Sequence, residues 1–148
     1  MTSKWIIKGG GIGIISGILL GLLFKSLQSQ TGIKVYVLLL NIDFIPFLGE
    51  IRWSELTEFL FHLIISCMIG ILFTFSIHYF NLSGLTLWML AFGLTLPALL
   101  LYFPLSSMAI KEVPVPYDSV GITLWLTGHL VYGVSLPLLY QAMHKPKR

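Results

Sequence analysis

Charge and cysteine are what this chain has least of. Asp, Glu, Lys and Arg make up 10% of its 148 residues, against 56% hydrophobic residues, and Cys67 is the single cysteine. One thiol closes no intramolecular disulfide, and Cys67 lies in an apolar run where it reads as a small core side chain, so cysteine usage says nothing about redox compartment. Catalytic patterns are missing too: there is no Gly-x-Ser-x-Gly elbow, no His-Glu-x-x-His helix and no Asp-rich phosphoryl-transfer motif. The Gly9 to Gly13 stretch has the look of a phosphate loop, but no strand precedes it and no Gly-Lys-Ser or Gly-Lys-Thr closes it. Without Cys-x-x-Cys-His there is no covalent haem attachment site. The expectation is a protein that is not an enzyme, with no cofactor and no dedicated metal site. A net charge of +3 rests on scattered basic residues that suit the flanks of membrane spans better than a nucleic-acid patch.

Apolar length is what the chain has most of. Four runs are long enough to cross a bilayer, from about Trp5 to Phe24, Trp53 to Ile77, Leu85 to Leu105 and Gly121 to Met143. The first could pass for a signal peptide, but Lys25 and Gln28 stand where a small-residue cleavage site would be wanted, so it reads as a true span. Little chain is left for a soluble core, which makes residues 1–148 one integral membrane domain. Pro97 and Pro137 are expected to bend the third and fourth spans. Four spans return both termini to one side. Lys4, Lys8, Lys145, Lys147 and Arg148 flank that side, which is assigned to the cytoplasm on their proximity to span ends, against Lys25, Lys34, Arg52 and Lys111 opposite. The first outer loop holds an apolar but punctuated segment, residues 33–48, with Asn41, Asp43 and Pro46; it reads as interfacial or re-entrant and not as a fifth span. Pro114 and Pro116 keep the second outer loop extended.

Gly9, Gly13, Gly17 and Gly21 recur every four residues and line one edge of the first span, where another backbone can come close. That edge either packs inside the monomer or forms a homo-oligomer seam. On the second span Glu55, Glu58, His62, Ser66 and Gly70 form a polar stripe descending from the outer surface; the fourth offers Trp125, His129, Tyr132 and Gly133 on a comparable face. Phe61-His62-Leu63 echoes Gly128-His129-Leu130, and the aromatics Phe73 and Tyr140 each follow their histidine by eleven residues. Gly17 and Gly21 correspond in the same way to Gly93 and Pro97. The chain therefore reads as two parallel helical-hairpin repeats about an axis along the membrane normal. Three roles are open to the histidines: hydrogen bonding that fixes packing, a protonatable path shared with Glu58, or ligation of haem or zinc. His78 and His144 lie at span ends, as solvated or dipole-complementing groups.

The string from His129 through Leu, Val, Tyr132 and Gly133 to Tyr140 resembles the His-Leu-x-Tyr-Gly helix of small bacterial four-span membrane proteins of the YqhR-like and YagU-like type, as do Trp53 at the second span and the glycine-rich first helix. Pro137 stands where that pattern prefers glycine. The resemblance implies a protein of the inner membrane, with envelope stress or sporulation as context. The expected fold class is thus all-α, a polytopic bundle of four transmembrane helices. The expected partners are the lipid bilayer, a second copy or another membrane protein, and no nucleic acid. The expected role is that of a packing or accessory component of the bacterial envelope. The alternatives are a proton or solute conduit using Glu58, His62 and His129, or a haem- or metal-binding membrane protein.

Overall fold

The structure is a computed structural model that describes residues 3–43 and 45–143; His144, Lys145, Lys147 and Arg148, which figure in the sequence reading, lie outside the described residues. Six helices follow one another: α1 (Ser3–Thr31), α2 (Val35–Leu39), α3 (Glu55–Phe80), α4 (Leu85–Leu100), α5 (Tyr102–Met108) and α6 (Ser119–Met143). No strand occurs among the described residues, so the all-α class holds. Four segments are long and apolar enough to cross a membrane: Lys4–Thr31, Glu55–Phe80, Leu85–Met108, which joins α4 and α5, and Ser119–Met143.

The helix ends follow local chemistry more than hydropathy. Apolarity reports only the part suited to hydrocarbon, and α1 runs well past Phe24 through a polar stretch until Gly32, whose φ of 74° ends it. Ser54 caps α3 by accepting the Thr57 amide at 3.2 Å, with Glu55 and Glu58 in the first turn, where the helix dipole favours acids. Trp53 therefore stands outside the helix and donates its indole N–H to the Leu48 carbonyl at 2.9 Å. Asn81, with φ of 52°, closes α3.

The expected bends are not where the spans break. α4 is continuous through Pro97 and α6 through Pro137, which is fully buried. The third span breaks instead at Leu101, between α4 and α5. Pro104 explains the position: it has no N–H for the Leu100 carbonyl, and its ring crowds that same oxygen.

α1 packs along α3 for most of its length, α6 packs against both α1 and α4, and α3 and α4 scarcely touch. Around the bundle the order is α3, α1, α6, α4, with the last side open. Ile12, Leu20, Phe24, Phe73, Trp125 and Leu136 meet where α1, α3 and α6 converge and are essentially sealed. The outward faces are also apolar, with Ile7, Leu22, Met68, Met89 and Leu138 exposed, as a lipid solvent requires.

The glycine edge is filled from within the chain. A Cβ at Gly9 would overlap Thr74 and the Gly70 carbonyl, one at Gly13 the Ser66 carbonyl, one at Gly17 the Ser66 side chain and one at Gly21 the Phe59 ring. Gly70 answers from α3, against the backbone at Gly9 and Gly13. That edge therefore packs inside the monomer, against α3.

The described residues of the 33–48 segment form the five-residue α2 and the turns after it, laid over the end of the bundle away from the termini. Val35 and Leu38 are fully buried there. The Gln28 side-chain oxygen accepts the Tyr36 and Val37 amides at 3.0 and 3.2 Å, which supplies α2 with the cap its own sequence lacks. Asp43 ties the two loops of this cap together by accepting the amides of Ile110 and Lys111 at 2.8 and 3.1 Å.

Candidate functional site

Glu58, His62 and Ser66 stand on successive turns of α3 and face inward from the cap end toward the middle of the bundle. Glu58 is buried and ion-paired with Lys111, which arrives from the second cap loop. His62 Nε2 donates to the Gly17 carbonyl at 3.2 Å, a bond that exists because the glycine edge brings the α1 backbone so near. Ser66 Oγ donates to the Tyr132 hydroxyl of α6 at 3.1 Å. His129 Nδ1 donates to the Trp125 carbonyl of its own helix at 3.0 Å, and its ring rests against Trp125 and Phe24, at centroid distances of 4.3 and 5.5 Å. One turn further toward the termini, Ser135 donates to Ser16 at 2.7 Å and links α6 to α1.

Because a carbonyl can only accept, each of these ring nitrogens carries a proton. In the neutral imidazole the other nitrogen is then a lone-pair acceptor, Nδ1 in His62 and Nε2 in His129.

Glu58, His62, Ser66, His129 and Tyr132 line one cavity of about 280 Å³. Most of its remaining wall is aliphatic or aromatic, including Leu20, Phe61, Ala98, Leu101 and Trp125. Five of the six polar residues singled out from the sequence are thus brought together. Glu55 is not among them. It lies in a separate shallow depression on the cap surface, paired with Lys25 at 2.6 Å and accepting the Tyr36 hydroxyl at 3.2 Å. Burial, reinforced by the Glu55 carboxylate it donates to, pushes the Tyr36 hydroxyl up to about 12. Glu58 and Leu40 border both the depression and the cavity, so the Glu58–Lys111 pair stands in the partition between them.

Sequence reasoning missed the partners more than the residues. Nothing local marks Lys111 as the counter-charge of Glu58, Phe24 as the ring seated on Gly128, or Asn41 as a donor to the Leu105 carbonyl at 3.2 Å. Each is a contact between distant parts of the chain. Among the described residues no three His, Cys, Asp or Glu side chains are grouped so as to hold a metal ion. Cys67 is half-buried beside Gly10, and His78 is exposed in the last turn of α3.

Four spans around a buried polar seam define a multi-pass helical membrane protein. Compared with family models, curated proteins and solved structures, the chain has no match.

Proposed function

We propose that the protein is a non-enzymatic component of the bacterial envelope, a four-span accessory protein with both termini in the cytoplasm. One observation carries the reading: His62 donates to the Gly17 carbonyl of α1 and Ser66 to Tyr132 of α6, while His129 is held within its own helix at the Trp125 carbonyl, so these polar side chains serve the packing of the bundle. The likeness of the last helix to the YqhR-like and YagU-like proteins agrees with an inner-membrane location. Thermal stability of the purified protein at neutral pH, compared with that of a His62→Ala, His129→Ala double variant, tests it. Both carbonyls keep their own helical amide, so each substitution removes one ring hydrogen bond and the packing of a buried ring, about 1 to 3 kcal/mol each, and a markedly lower Tm is expected. An unchanged or raised Tm would sink the packing role.

A second reading, a proton or solute conduit, draws on the shared cavity of Glu58, His62 and His129. It requires a path to the termini end, where Ile12, Phe73 and Leu136 are fully buried. Proton flux into liposomes that drops in Glu58→Gln would favour it over the accessory role.

A further inference from the structure

We propose that the cavity is a binding site for a neutral amphiphile taken from the bilayer, one with a hydroxyl head and an apolar chain or ring body. The position of its mouth gives the source. Ile64, Ile65 and Leu101 line the cavity and are yet 54%, 57% and 44% exposed, so the wall between α3 and the end of α4 is open to the outside of the bundle. That opening lies between two spans that scarcely touch, and what surrounds spans is lipid. Toward the water, the Glu58–Lys111 pair and Leu40 stand between cavity and cap depression. A ligand thus arrives sideways, from hydrocarbon.

The size and chemistry of the wall give the class. A cavity of about 280 Å³ is roughly twice the apolar cavity of about 150 Å³ that holds benzene, so it accommodates a substantial apolar body. The polar groups then select the head. Glu58 is neutralised by Lys111 and offers no free charge to a cation. The far nitrogens of His62 and His129 are acceptors in residues on the cavity wall, and His129 is only 3% exposed. Tyr132 accepts from Ser66, a bond that does not use its own O–H hydrogen. A hydroxyl meets this arrangement in both directions, donating to an imidazole lone pair and accepting from Tyr132. A carboxylate or phosphate would set its charge against lone pairs in a dry pocket, and a plain hydrocarbon would leave them unmet.

The proposal rests on the cavity and not on the accessory role, and stands or falls apart from it. Its test is the Tm of the full-length protein in detergent, titrated with 1-dodecanol or with dodecane. The expected result is a saturating rise of about 3 °C or more with the alcohol and little with the alkane. Two variants separate the site from the micelle. Leu101→Trp fills the mouth from α4, and Ile65→Phe fills it from α3 should the first not fold; either abolishes the rise. The His62→Gln, His129→Asn pair places an amide N–H where each ring now donates but removes the far ring nitrogen, so it keeps the fold and weakens the rise by at least half. An equal rise with dodecane, an equal rise in the mouth-filled variants, or no rise in the native chain would each overturn the proposal.

Discussion

Lys111 reaches from an irregular loop into the cap end and meets Glu58, whose side chain is 10% exposed while the lysine's is 37% exposed. Such a pair lies between the surface case, which contributes little, and the buried case, where removing one partner strands a charge. Lys111→Met is therefore expected to lower stability by about 2 kcal/mol, and adding Glu58→Gln should restore most of it. Denaturation of the three variants in mixed micelles reads this directly; a double variant no better than the single one would remove charge pairing as the reason. The residue types here were legible in the sequence, because carboxylates and imidazoles inside apolar runs stand out. The pairing was not, since Lys111 and Glu58 lie 53 residues apart and no local pattern joins them.

The elements carry the internal echo, and they also break it. His62 and His129 line the same cavity, and Phe73 and Tyr140 meet edge to face at 6.0 Å between centroids. Each hairpin packs on itself, α1 with α3 and α4 with α6. A strict twofold would make the contact of α1 with α6 equal to that of α4 with α3, whereas the first is extensive and the second slight. The glycines account for a second asymmetry, the closer packing of α1 on α3 than of α4 on α6. Gly17 is packed against Ser66 and Leu63, but its counterpart Gly93 has open space where a Cβ would go. Gly13→Val is accordingly expected to force α1 from α3 at about 3 kcal/mol, the upper end for overpacking. Gly93→Ala should stabilise by about 0.5 to 1 kcal/mol through helix propensity alone. Thermal denaturation of both separates a packing glycine from a spectator, and equal effects would contradict the assignment.

For the molecule as a whole, an even number of spans places the two ends on one side, and α2 with the two longer loops forms the opposite cap. Among the described residues Asp43, Glu50, Glu55, Glu58, Glu112 and Asp118 all belong to that cap or the helix turns beneath it. The proposed orientation predicts that a fluorescent reporter fused to either terminus matures in the cytoplasm, and that one inserted after Glu112 does not. Fluorescence at the insertion, with none at the termini, would reverse the topology. The cavity also belongs to this scale, because its wall draws on α1, α3, α4, α6 and the cap together.

The sequence by itself determined the class, the four spans, the shared side of the two ends and the glycine edge built for close approach. Hydropathy over a bilayer's thickness and a four-residue small-residue repeat are local properties, and every fold available to the chain must respect them. Only the tertiary structure decided that the glycine edge meets α3, that the third span breaks above Pro104, and that α3 and α4 part to leave a cavity. Those outcomes depend on which side chains face one another across helices, and in a membrane, where lipid is as apolar as leucine, apolarity does not choose among helix faces. Fit and hydrogen bonding choose, as between Gly13 and the Ser66 carbonyl or His62 and Gly17, and both are properties of pairs.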